Sequence, residues 1–304
     1  MVQSFRPVPN LPQSGLVQVA SNIWTIEAKE CVCFRPPMQP RYPYPHRAVV
    51  IRLDDSSLFV LSPIQLNADL RTEIDRLGTV KYLVSPNNLH HLHLGDWSQA
   101  YPEARLYASP RLAPKRKDLT FHTTLSTDTP EPEWDGQIDQ CIFGSGNGWF
   151  DEIIFFHRES RTIVFTDLIM DFDPATFSPL ARVTTRWNQM YQHTPRGIQL
   201  IHMFDRASLH DSLKTMRAWE PERAIVAHSP WLCVEGKNGV DDFFDRAFDW
   251  LTPKPAIIEA AMGIVRFSTL LFLILPIHAF IVLSADIIYP RLRKRIDFLL
   301  SLKA

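Results

Sequence analysis

The order of apolar runs along the chain predicts a layered α/β sandwich. Strand-length runs dominate as far as Ser62, strand and helix patterns alternate after it, and no segment repeats. A doubly wound sheet would alternate from the start. Apolar residues make up 45% of the sequence, and 32 basic against 33 acidic side chains leave a net charge of -1. That composition excludes global disorder and gives no basic footprint for nucleic acid. With 11 glycines against 24 prolines, a fold built on glycine-rich phosphate loops is not expected either.

Residues 1–20 read as an N-terminal arm. They lack the apolar core of a secretory leader, so no export is expected from this end. The domain expected over 21–251 opens with a strand pattern at Asn22 to Ala28, followed by a proline-rich crossing from Arg35 to His46 that can be neither helix nor central strand. Ala48 to Leu53 and Leu58 to Ser62, joined by Asp54-Asp55-Ser56-Ser57, read as a hairpin. Leu66, Leu70, Ile74 and Leu77 have helical spacing, and Gly78 is a stop. A strand at Val80 to Val84, a helix from near Gly95 or Asp96 and a strand at Arg105 to Ala108 come next. Lys115-Arg116-Lys117 reads as a solvated loop. Three strands are expected at Gln137 to Phe143, Glu152 to Phe156 and Thr162 to Phe165, then a helix around Ala207 to Trp219, a strand at Arg223 to Ala227 and a helix from Val240 to Leu251.

Thr252-Pro-Lys-Pro-Ala256 opens a linker over 252–266. Beyond it, Phe267 to Ala285 is free of formal charge, bounded by Arg266 and Asp286. About 20 such residues at about 1.5 Å each span the hydrocarbon of a bilayer. Pro276 and His278 would suit a buried helix of the domain instead, but core helices are rarely apolar all round for so many turns. Residues 267–304 are therefore expected to be a membrane helix with a basic tail (Arg291, Arg293, Lys294, Arg295), single-pass or monotopic, with the domain on the cytoplasmic side. The expected partners are the membrane, a membrane protein and, for an enzyme, a small-molecule substrate. Cys31, Cys33, Cys141 and Cys233 are too few for a disulfide scaffold, and Cys31-Val32-Cys33 lacks the second pair of a structural zinc site, so they read as thiols in a reducing compartment.

The densest chemical signal is His90-His91-Leu92-His93, after the strand Val80 to Val84 and the turn Ser85-Pro86-Asn87-Asn88. Neutral imidazole is the commonest metal ligand. The scattered histidines His46, His122, His157, His193, His202 and His210 read as ordinary satisfied residues. Two more apolar strands end on ligand-type residues, Thr162 to Asp167 and Arg223 to His228. Alone, Asp167 would cap Leu168-Ile169-Met170 and His228 would open the turn at Ser229-Pro230. Together with the cluster they suggest side chains gathered on one rim of a sheet, where α/β proteins place their sites.

These features resemble the metallo-β-lactamase superfamily, and within it an uncharacterised divergent branch that shares four motifs in order: Pro40 to Pro43, Ser85 to His91, Phe155 to Thr162 and Thr166 to Leu168. The resemblance covers about residues 20 to 235 and implies an αββα sandwich. Active members carry His-x-His-x-Asp-His after the strand, and the six positions here are Pro86-Asn87-Asn88-Leu89-His90-His91. Pro86 and Asn88 thus replace two metal-binding histidines, and Gly146-Asn147-Gly148-Trp149 stands where their third partner is usual, so one metal site is lost. The resemblance assigns the other site to His90, His91, Asp167 and His228, holding one zinc or iron ion, with Asp167 also catalytic as the group that orients the water nucleophile. A rival register of His91, His93 and Asp96 leaves the following helix too short. His193-Thr194-Pro195-Arg196-Gly197 imitates the missing turn but follows Asp167, on the wrong side in chain order.

Two functions follow as expectations. One is a membrane-anchored, mononuclear metal-dependent hydrolase of an ester, lactone, thioester or phosphoester. The alternative is a non-catalytic membrane-anchored binding or scaffold subunit on a degenerate fold. Nucleophilic catalysis has no support, because there is no Gly-x-Ser-x-Gly elbow, Walker motif or dinucleotide fingerprint.

Overall fold

A computed structural model of the protein describes residues 5–7, 15–28, 32–34, 42–144, 150–202 and 206–252. The uncharged run Phe267 to Ala285 and its basic tail lie outside them. Among the described residues, no helix is long and apolar enough to cross a membrane.

The strands begin with β1 (Phe5–Pro7), β2 (Leu16–Ala20), β3 (Ile23–Glu27), β4 (Val32–Phe34), β5 (Tyr42–Tyr44), β6 (Arg47–Arg52) and β7 (Ser57–Leu61). Helix α1 (Ala68–Leu77) leads to β8 (Thr79–Ser85), α2 (Leu94–Ala100) to β9 (Arg105–Ala108), and α3 (Leu112–Lys115) to β10 (Thr123–Thr124). After β11 (Ile138–Phe143), β12 (Glu152–His157) and β13 (Thr162–Phe165), the short β14 (Met170–Asp171) pairs with β15 (Tyr191–His193) around α4 (Pro179–Trp187). Helices α5 (Arg196–Ile201) and α6 (Arg206–Ala218) precede β16 (Arg223–Val226) and β17 (Trp231–Glu235), and α7 (Lys237–Ala247) follows.

Period-two alternation builds the layers. In β6 and β7, Val49, Ile51, Phe59 and Leu61 face inward, while Ala48, Val50, Leu58 and Val60 face helices α1 and α2. In β12 and β13, Ile153, Phe155 and Val164 join the same inner core, and Ile154, Phe156, Ile163 and Phe165 face α6 and α7. The inner core therefore lies between a seven-stranded sheet, in the order β10-β9-β8-β7-β6-β3-β2, and a six-stranded sheet, in the order β1-β17-β16-β13-β12-β11. With helices packed on both outer faces, this is the expected αββα sandwich.

The N-terminal segment read as an arm contributes β2 beside β3, and β1 beside β17. Gly78 ends α1 as expected, though by close approach: its backbone is extended, and a Cβ there would lie 2.2 Å from the Ser56 carbonyl oxygen. The charge run at Lys115 is no solvated loop, because Lys115 closes α3 and the Arg116 side chain turns back onto His91.

Candidate metal centre

Strand register brings the site together. Parallel β13 and β16 pair Phe165 with Val226, and the N–H of Ala227 donates to the Phe165 carbonyl at 2.9 Å. Two residues beyond each partner stand Asp167 and His228, side by side. In the facing sheet, parallel β7 and β8 pair Leu61 with Val84, which sets Ser62 beside the turn that leaves β8. Within that turn, Ser85 Oγ donates to the carbonyls of Asn87 and His90, and Asn87 Oδ1 accepts from the N–H groups of Leu89 (2.8 Å) and His90 (2.9 Å). These bonds turn His90 inward.

Three imidazoles, His46, His90 and His228, place ligand atoms within 4.8 Å of one another. His90 Nε2 lies 3.2 Å from His228 Nε2, Asp167 Oδ2 lies 3.1 Å from His90 Nε2, and Asp167 Oδ1 lies 3.1 Å from His228 Nε2. The outer nitrogens are already engaged: His228 Nδ1 donates to the Pro45 carbonyl at 2.6 Å, and His90 Nδ1 meets Ser62 Oγ at 2.5 Å. With its proton on Nδ1, a neutral His228 presents an Nε2 lone pair to an acidic oxygen. Two acceptors at that distance need a proton or a cation between them. Donors sharing a tetrahedral ion at about 2.1 Å lie roughly 3.4 Å apart, close to the spacing of His90, His228 and Asp167, and His46 within 4.8 Å completes a donor set of the type that holds a zinc-like ion.

The electrostatics agree with a charged cluster. Burial pushes the Asp167 carboxyl up, but His90 and His228 outweigh it and hold the group well below the usual carboxylate range. Burial likewise depresses His90, but the carboxylates of Asp167 and Glu152 raise it overall. His46, stacked on His90 at 4.8 Å between ring centroids, is held well below its ordinary value by burial and by the two other imidazoles. It would enter such a site as a neutral ligand.

Asn87 stands beside Asp167 in the turn that leaves β8. Its Nδ2 donates to Asp167 Oδ2 at 2.8 Å, to Thr166 Oγ1 at 3.1 Å and to Glu152 Oε2 at 3.3 Å. Glu152, wholly buried at the start of β12, accepts the N–H groups of Thr166, Asp167 and Leu168 at 2.7, 2.7 and 2.9 Å. An amide and a carboxylate thus hold Asp167 from behind.

Of the four residues expected as ligands, His90, Asp167 and His228 come together and His91 does not join them. His91 Nδ1 accepts from Arg116 at 3.0 Å, and burial, with the charges of Lys115 and Arg116, lowers its pKa to about 3. His46 takes the third imidazole place, although the sequence marks it only as one histidine at the end of a proline-rich crossing. His93 lies on the exposed side, 3.3 Å from Asp96.

Comparison with known proteins agrees with this architecture. The chain is similar in structure to DIM-1 metallo-β-lactamase (15% identity, TM-score 0.50, covering 78% of this chain and 99% of that one) and to VMB-1 (11%, TM-score 0.52, 80% and 100%). It is also similar to the rubredoxin oxygen:oxidoreductase of the anaerobe Desulfovibrio gigas (10%, TM-score 0.55), covering 79% of this chain but only 62% of that one. At these identities the likeness establishes the fold alone. No curated protein matches the chain in sequence. The model of a family described as a domain of unknown function, DUF4336, matches residues 21–180, more than half of the 304, and the chain belongs to that family.

Proposed function

We propose that the protein is a metal-dependent hydrolase with one ion, held by His46, His90, His228 and Asp167, and that the segment 267–285 anchors it to a membrane. The observation that carries the metal reading is the paired orientation of His90 and His228. Each outer nitrogen is fixed by Ser62 or Pro45, and each inner nitrogen is aimed at Asp167. A divalent ion in such a site supplies Lewis acidity and lowers the pKa of bound water. The residues of the chain supply the rest: Asp167 is placed to orient a water, while Asn87 holds its carboxylate and Glu152 its backbone N–H. The substrate class proposed is a small ester, lactone, thioester or phosphoester.

A second reading has its own support. A single proton shared by His90 and Asp167 would also hold the cluster together, as the raised pKa of His90 allows, leaving an inert buried ion pair on a binding or scaffold protein. Elemental analysis of protein purified without chelator separates the two. The hydrolase reading expects about one zinc or iron per chain, lost in His90→Ala and His228→Ala. Wild-type protein that carries no transition metal and gains none on dialysis against zinc would reject it.

A further inference from the structure

The large apolar side chains exposed among the described residues are Leu89, Leu92, Leu180, Val183 and Trp187. All lie on two segments that leave the strand ends bearing the site: the turn after β8 that carries His90, and α4, reached from β13 through Asp167 and β14. Helix α4 has two faces. Its Ala181 is buried against Phe172 and Phe177, and the Phe172 ring lies 6.5 Å from that of His228, so the inner face is built onto the site. On the outer face, Leu180, Val183 and Trp187 follow helical spacing and are 61%, 65% and 48% exposed.

Charge on this stretch has one sign. From Pro174 to His202 there is no aspartate or glutamate, while Arg182, Arg186 and Arg196 are present in a chain whose net charge is -1. The Arg196 guanidinium sits over the Trp187 ring at 5.0 Å. An apolar stripe flanked by arginines, with a tryptophan on its edge, is the pattern of a helix lying in a lipid headgroup layer. The chain beyond the domain points to the same occupant. Only residues 253–266 separate the last described residue, Thr252, from the uncharged run starting at Phe267. Fully extended, that connection reaches at most about 50 Å, so a bilayer holding the run keeps the domain at its surface.

We propose that α4 docks in the headgroup layer of an anionic bilayer, with Leu89 and Leu92 as a second contact, so that the rim of the imidazole cluster is seated on the membrane. A helix this short binds weakly alone, and the tether supplies the effective concentration. The tether, though not the contact of α4 itself, rests on reading Phe267 to Ala285 as a membrane segment. The test uses the full chain on vesicles of brominated phosphatidylcholine with phosphatidylserine as the minor component. The Trp187 signal is the difference in emission between the wild type and Trp187→Phe. The expected result is a blue shift and quenching of that signal, lost in Leu180→Ser/Val183→Ser while the variant stays on the vesicles. An unquenched Trp187 in protein that survives an alkaline carbonate wash overturns the docking of α4 and leaves the tail reading standing. Quenching in protein that the wash removes supports α4 and ends the tail reading, whereas no binding at all ends both. A Trp187 signal already blue-shifted without lipid, in protein that sediments as a dimer, gives this face to a second copy of the chain and overturns the proposal.

Discussion

Replacing Arg47 by methionine tests how the two sheets hold the site. Arg47 opens β6 and is buried, yet its guanidinium is fully used. Nε and one terminal nitrogen grip Glu27 at 2.7 and 3.0 Å, and the other terminal nitrogen donates to the carbonyls of Val226, Trp231 and Leu232 at 2.9, 2.8 and 3.2 Å. The segment so clamped carries His228, and the residues just before Arg47 are His46 and Pro45, a proposed ligand and the acceptor of the His228 proton. Methionine fills similar volume but removes the counter-charge of Glu27 and the guanidinium hydrogen bonds to four carbonyls, those of Val226, Trp231, Leu232 and, at 3.4 Å, Ser229. Arg47 is buried and Glu27 is partly exposed, so breaking the pair costs up to about 3–5 kcal/mol, and at about 2–4 °C per kcal/mol the Tm of a domain this size falls by up to roughly 10 °C. Because supporting residues typically contribute about 10–100-fold to metal affinity, zinc should bind more weakly at unchanged stoichiometry. Urea and thermal unfolding give the first number, and titration against a competing chelator gives the second. Arg47→Lys keeps the charge without the planar fork and should fall between the two. An Arg47→Met protein that unfolds within about 1 kcal/mol of the wild type, far short of the buried-pair penalty, and binds zinc as tightly would refute the clamp.

His91→Ala should keep its full metal content where His228→Ala loses it, since the Nδ1 of His91 is already spent on Arg116; equal loss in both variants would return His91 to the ligand set. Asp171 is pushed up to about 7 by burial, against smaller opposing effects from Gln192 and Ser229. The folded chain therefore holds a proton that the unfolded chain releases, so this group's contribution is full below about pH 4 and is lost as pH rises to about 7, an effect on the order of 4 kcal/mol. Asp171→Asn should accordingly gain stability over the wild type at pH 8 but not at pH 4, as read from urea midpoints. Gly144 has a φ of 90°, and a Cβ there would fall 2.1 Å from Cε1 of the buried His202 and 2.9 Å from the Phe150 carbonyl oxygen. Gly144→Ala should thus cost at least about 1–3 kcal/mol, and an unchanged Tm would show that His202 can move aside.

How much of this was legible in the sequence depended on whether a residue's place followed from its strand. Asp167 and His228 each follow an apolar run, and parallel pairing of those runs converts equal offsets from Phe165 and Val226 into contact. That inference needs only the order of strands. Strand β17 was missed because Ser229-Pro230 reads as the end of structure, and α4 because its apolar residues face outward and leave no core stripe to detect. His46 had no such signal. It ends a crossing that belongs to no regular element, and only the pairing of β3 with β6 carries it onto His90.

The exchange of His91 for His46 shows where motif transfer stops. A matched motif carries residue types along the chain, and by that measure His90 and His91 are equal candidates on one turn. Their directions are set by groups outside the motif's ligand positions. Asn87 Oδ1 takes the N–H of His90 and turns that ring inward, while Arg116, from a charge run that looked solvated, takes both the carbonyl and the Nδ1 of His91. Both partners are ordinary polar residues with many possible roles, so the sequence alone ranks neither. With His91 diverted, the count of imidazoles stays at three only because β6, two strands away in the same seven-stranded sheet as β8, delivers His46. The proposed donor set thus draws on both sheets of the sandwich, which is why a clamp between them, Arg47, should govern a metal it never touches.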